Sequence, residues 1–157
     1  MVKTLVGLAL SFALYAADPL VGVWELNVAK SSAEGIRLPQ NSRETITEDA
    51  SGLRIRREMV NRDGKVTVQT FHYVFDGKSH AAELGVDAKH SHHSMRFERK
   101  APGVIERIVD HDHGKVISSY RHTLSPDGKT ITAFSSNSDD GTGKPYRSTL
   151  VFERRRE

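Results

Sequence analysis

The chain has 157 residues, a formal net charge of +3 and no cysteine. That length suits one domain and can bury a core unaided. The missing cysteines exclude disulfides, thiolate nucleophiles and cysteine-based zinc sites, and so small a charge excess is no nucleic-acid footprint. Residues 1–17 read as a signal peptide. Met1-Val2-Lys3 is a short basic start, Thr4 to Ala16 is an apolar run too short to span a bilayer comfortably, and Ala16-Ala17 is a small-residue cleavage site ahead of Asp18. No cysteine follows to carry a lipoprotein anchor. The expected destination is the periplasm or the exterior, with no stable membrane insertion once the signal is removed. An exported chain without disulfides fits a bacterial periplasm.

Residues 18–157 are then a single domain. Leu20 to Val28 carries the only Trp, and Leu20, Gly22, Trp24, Leu26 and Val28 fall on one face of a strand. Ala29 to Gln40, with Gly35 and Pro39, can hold one helical turn. Arg43 to Glu48 is a polar strand around Ile46. After the turn Ala50-Ser51-Gly52, Leu53 to Val60 alternates, with Leu53, Ile55, Arg57 and Met59 on one face. Asp63-Gly64 supplies a hairpin turn. Lys65 to Phe75 follows, with Val66, Val68, Thr70, His72 and Val74 opposite Phe71, Tyr73 and Phe75. Apolar residues on both faces mark a strand that is central, bent or covered.

Beyond Asp76-Gly77-Lys78, Ser79 to Leu84 is a short weak strand and Gly85 to Ser91 a loop. His92 to Lys100 carries Met95 and Phe97, and Val104 to Asp110 is apolar on both faces. Lys115 to Ser125 sets Val116, Tyr120 and Leu124 against Ile117. Pro126-Asp127-Gly128-Lys129 is a turn. Thr130 to Ser136 and Pro145 to Glu153 complete the set. Asp-Gly-Lys recurs at residues 63–65, 76–78 and 127–129, which reflects shared turn chemistry. The expected fold is all-β: an antiparallel up-and-down meander of about 8–10 strands, closed into a barrel that leaves no aggregation-prone edge.

The opening Gly22-Val23-Trp24 resembles the Gly-x-Trp opening of lipocalins. The longer run from Gly22 to Ser31, the Asp-Gly-Lys hairpins and the Leu150-Val151-Phe152-Glu153 ending look like a group of small exported bacterial lipocalin-like proteins. The resemblance implies a calycin barrel closed at one end by Trp24, with an internal cavity for a small apolar molecule. It also implies a late basic residue over the Trp ring, Arg147 or Arg154.

The expected function is binding of an apolar or amphipathic small molecule, without catalysis, cofactor or nucleic acid. Trp24, Val66, Val68, Met95, Phe97, Tyr120 and Leu124 are the expected floor and lining. Ser118, Tyr120 and His122 share a face and would form a polar line in the cavity. Arg57 falls on an apolar face, so it needs a carboxylate partner, with Glu106 the candidate, or an acidic ligand such as a fatty acid. No nucleophile elbow or oxyanion-hole turn accompanies these residues, which argues against acyl transfer. Aromatic interleaving with the basic residues is missing, as is a glycine loop leading into a helix. Two alternatives stand beside this reading. One is an interaction module with a filled barrel, using Phe71, Tyr73 and Phe75 as an outer contact patch. The other is a metal site built from His90, His92, His111 and His113 where two hairpin ends meet.

Overall fold

The computed structural model describes residues 17–81, 94–111, 115–138 and 145–155. The strands are β1 (Gly22–Leu26), β2 (Ser32–Glu34), β3 (Asn41–Asp49), β4 (Gly52–Val60), β5 (Val66–Val74), β6 (His80–Ala81), β7 (Ser94–Ala101), β8 (Val104–His111), β9 (Lys115–Leu124), β10 (Thr130–Asn137) and β11 (Tyr146–Arg154). Ten of them follow one antiparallel hydrogen-bonded path, β5-β4-β3-β1-β11-β10-β9-β8-β7-β6, and β2 adds to β11. The first strand ends at Leu26 rather than Val28, and the helical turn expected within Ala29 to Gln40 is a 3-10 turn that begins earlier, at Val28–Lys30, capped by the Asn27 side chain. The short strand expected at Ser79 to Leu84 is described only as β6.

The sheet curls into a nearly closed barrel because β1 pairs with both β3 and β11, joining the two halves of the meander. Among the described residues, hydrogen bonding stops at β5 on one side and β6 on the other. Side chains close the seam between them. Tyr73 of β5 meets Phe97 of β7 with ring centroids 4.6 Å apart, and Arg99 of β7 lies 4.5 Å over the Phe75 ring. Each of the three Asp-Gly-Lys turns uses the same local device. The carboxylates of Asp63, Asp76 and Asp127 accept the backbone N–H of the Lys two residues on, at 3.0, 2.9 and 3.1 Å.

Alternation sends one face of each strand inward. Leu53, Ile55, Ile105, Ile131, Ala133 and Phe152 are buried together with Trp24 and Leu20. On β5 the inward set is Phe71, Tyr73 and Phe75, which join the core or pack on it. The outer patch expected of them is therefore absent. On β9 the pairing skips a residue opposite Val109 and Asp110, leaving Ile117 as the extra residue of a bulge. The parity changes there, so Ile117 is buried and Val116 exposed, while Tyr120 and His122 point in.

The chain before β1 closes one end of the barrel, the base. Asp18 donates its backbone N–H to Glu48 Oε2 (3.0 Å), accepts the Leu20 N–H (2.8 Å) and forms an ion pair with Arg99. Trp24 donates its indole N–H to the Leu20 carbonyl (2.9 Å). The Arg154 guanidinium lies 4.1 Å over the Trp24 ring and donates to the carbonyls of Gly128, Val21 and Pro19 at 2.9, 2.8 and 2.7 Å. Arg154, not Arg147, is thus the residue on the ring. Gly22 makes the approach possible: a Cβ there would stand 2.7 Å from Arg154 Nη1, and its φ is +145°. Gly22→Ala is expected to cost on the order of 1–3 kcal/mol in denaturant unfolding, through strain and a displaced Arg154. A loss below about 0.3 kcal/mol would mean that the guanidinium does not hold the base.

Candidate functional site

The interior is not uniformly apolar. Above the layer of Leu53, Ile131 and Phe152, the inward positions of the same strands become polar: Ser42 and Glu44 on β3, Arg57 on β4, Arg107 on β8, Tyr120 and His122 on β9, Ser135 on β10 and Ser148 on β11. Glu44 is the hub and is completely buried. Its Oε1 accepts from Arg57 Nε at 2.7 Å and from the Tyr120 hydroxyl at 3.3 Å. Arg57 Nη2 also lies 2.6 Å from the same oxygen. Its Oε2 lies 2.8 Å from His122 Nε2.

Burial alone would push the Glu44 carboxyl up. The Arg57 guanidinium and His122, by charge and hydrogen bond, override it and hold the group down at about 2. Burial raises the Tyr120 hydroxyl well above its ordinary value, so Tyr120 stays a neutral donor. Arg57 remains charged: burial opposes its charge, but Tyr120, Glu44 and Tyr73 around it push it up. The partner of Arg57 is therefore Glu44. Glu106, the partner expected from the sequence, is on the opposite face of β8 and pairs with Arg121 at 3.2 Å.

A cavity of about 360 Å³ opens above this layer, at the end of the barrel away from Trp24. Arg57, Phe71, Arg107 and Tyr120 form its inner part, with Ser135, Ser148 and Leu150 on the β10–β11 side. Ile36, Arg37, Leu38 and Pro39, from the connection between β2 and β3, stand at the mouth with Met59, Asn61, Gln69 and Tyr146. The two guanidiniums flank the same pair of rings. Arg57 lies 4.5 Å from the Tyr120 centroid, and Arg107 lies 4.4 Å from that of Phe71. Ser135 and Ser148 hydroxyls hydrogen-bond each other at 2.6 Å.

Of the lining expected from the sequence, Arg57 and Tyr120 border this cavity. Trp24 closes the other end of the barrel. Met95 and Phe97 are buried, Phe97 in the seam against Tyr73, and His122 is buried beneath the cavity with Glu44. Leu124 is half-buried over Gly103 near the base, and Ser118 is half-buried beside Asn137. Val66 and Val68 are on the outer face, 62% and 51% exposed, because the aromatic set of β5 takes the interior. His90, His92 and His113 lie outside the described residues, and so does the side chain of His111. Among the described residues no group of three or more His, Asp or Glu is placed to hold a metal ion.

The sequence reading missed Glu44, Arg107, Ser135 and Ser148. For Glu44 a signal existed. Glu44 stands six residues before Ala50 and Arg57 six after Ser51, so the hairpin places them directly opposite.

No protein-family model matches the chain, and no curated protein does. Among solved structures it is similar to zebrafish ileal bile acid-binding protein in complex with cholic acid. That match has a TM-score of 0.50 and 12% identity, and it covers 87% of this chain and 99% of the other. The siderocalin Ex-FABP, described as acting through dual ligand specificities, matches at a TM-score of 0.41 and 11% identity, over 88% of this chain and 76% of that one. At these identities the first likeness is one of fold, and the second adds no weight.

The buried hub carries a pH prediction. The carboxyl of Glu44 is depressed in the folded protein, so its contribution is full above about pH 4.5 and is lost as pH falls toward 2. Glu44→Gln should destabilise the protein by about 3–5 kcal/mol at pH 7, because Arg57 loses its counter-charge. The gap between wild type and variant should then shrink by on the order of 3 kcal/mol between pH 5 and pH 2. Denaturant unfolding at several pH values measures both, and a gap that stays constant would contradict the assignment.

Proposed function

We propose that the protein reversibly binds a small amphipathic molecule in the cavity opposite Trp24, as a carrier or receptor without catalysis. The observation that carries this is the cavity itself. The apolar layer packs the base, yet about 360 Å³ remains above it, within the ~300–1,000 Å³ range of small-molecule sites. Its lining sets Ile36, Leu38, Met59, Phe71 and Leu150 beside Arg57, Arg107, Tyr120 and the Ser135–Ser148 pair, a mixed apolar and polar surface that suits an amphipathic molecule. The likeness in fold to a barrel described in complex with cholic acid supports a ligand seated inside. The filled-barrel alternative has less support, since space remains and Phe71, Tyr73 and Phe75 face inward.

The non-catalytic character rests on what borders the cavity. Among the described residues, no carboxylate or imidazole lines it; Glu44 and His122 lie beneath it, bonded to each other. Among those residues a bound molecule meets no acid–base pair.

Export belongs to the same proposal. Removal of residues 1–17 would leave Asp18 as the new N-terminus. Its nitrogen lies 3.0 Å from Glu48 Oε2, where an ammonium would be well received. N-terminal sequencing of protein recovered from a bacterial periplasm should begin at Asp18 or Ala17. Retention of Met1 would remove that part of the proposal.

Titration with Nile red, a neutral fluorophore, tests the binding site. Wild type should saturate at one equivalent. Ser148→Phe, which fills the cavity, should weaken binding tenfold or more, whereas Phe134→Ser on the outer face should leave it unchanged. The reverse pattern would place binding on the surface and overturn the proposal.

A further inference from the structure

Among the described residues, the cavity holds more positive charge than its surroundings neutralise. Two guanidiniums, Arg57 and Arg107, stand at its inner end against Phe71 and Tyr120. One carboxylate, Glu44, serves them, and it is bonded to Arg57, Tyr120 and His122. Arg107 forms no ion pair among the described residues, and its buried Nε has no hydrogen-bond partner there. Arg37 adds a further cation at the mouth, and among the described residues no carboxylate borders the cavity. Arg107 is half-buried, and its stacking on Phe71 does not supply the acceptor that its buried Nε lacks. Arg107 is thus a charged side chain facing a cavity, with a buried donor that lacks an acceptor among the described residues.

We propose that the ligand is an organic anion, a carboxylate on a compact apolar body, whose anionic group sits on Arg107. The assignment rests on the cavity being a binding site, as proposed above. Arg57 is not the receptor: a ligand that took it would leave Glu44 buried without its principal counter-charge. The anionic group enters first, and the apolar body lies toward Ile36, Leu38 and Pro39. Arg107 then meets its acceptor only in the complex, which makes the charge a source of selectivity against neutral molecules of the same shape.

Displacement of Nile red by decanoate and by methyl decanoate separates the two proposals. Wild type should bind decanoate about tenfold to a hundredfold more tightly than the ester. Arg107→Gln should lose that preference, its acid and ester affinities coming within about twofold of each other, and Arg107→Lys should keep part of it. Arg107→Gln should also melt no lower than wild type in the absence of ligand, since it removes an uncompensated charge. Equal affinity for acid and ester would overturn the anion assignment and leave the cavity as a site for neutral molecules. A preference for the acid that survives in Arg107→Gln would equally overturn it. Failure of all three compounds to bind wild type would overturn both proposals. If Arg107→Gln does not fold, the acid–ester preference of wild type and Arg107→Lys decides the matter.

Discussion

A carboxylate with no exposed surface, Glu44, sits in the middle of the barrel and constrains everything above the base. An ionised group in that position is tolerated only when charges and donors surround it closely. Arg57 faces it across the β3–β4 hairpin, and Tyr120 and His122 reach it from β9 on the far side of the barrel. The contact therefore ties together two strands distant along the sheet path. It also fixes which way Arg57 points, and so which cation in the cavity is already neutralised. Arg107, one strand beyond β9 and on the same two rings, is left with the surplus.

The division of the interior into an apolar base and a polar upper layer follows from the same strands. Residues two apart on β10 and β11 change from Ile131 and Phe152, through Ala133 and Leu150, to Ser135 and Ser148. Near the base, large side chains and the Trp24–Arg154 stack leave no room. Higher up, the small Ser135 and Ser148 border open space. The seam between β5 and β7, lacking backbone pairing, is held by Tyr73 on Phe97 and by Arg99 bridging Phe75 and Asp18. Among the described residues, side-chain contacts thus replace ladder hydrogen bonds along this seam.

Much of this was legible from the residues. Turn chemistry at each Asp-Gly-Lys and the alternation of β4 placed most strands, and the Gly22–Trp24 opening led to an arginine over the ring. The site was less legible, for two physical reasons. Strands apolar on both faces, β5 and β8, give alternation no preferred side, so Val66 and Val68 were set inside and Arg107 went unnoticed. A bulge at Ile117 moved Val116 outward, which no period-two count anticipates. Glu44 was hidden by composition: the strand Arg43 to Glu48 reads as solvated until hairpin register sets it opposite Arg57.

The central claim is that a ligand enters the end of the barrel away from Trp24 and presents an anion to Arg107. Nitrogen-15 NMR during titration with decanoate tests it most directly, because Arg107 Nε–H and the Trp24 indole N–H report on opposite ends of one interior. The account predicts that the Arg107 Nε–H signal shifts downfield to saturation and becomes slower to exchange, as a charge-assisted hydrogen bond forms. The Trp24 indole, bonded to the Leu20 carbonyl, should stay in place. Saturable shifts at Trp24 or on the outer face, with Arg107 Nε–H unmoved, would contradict it.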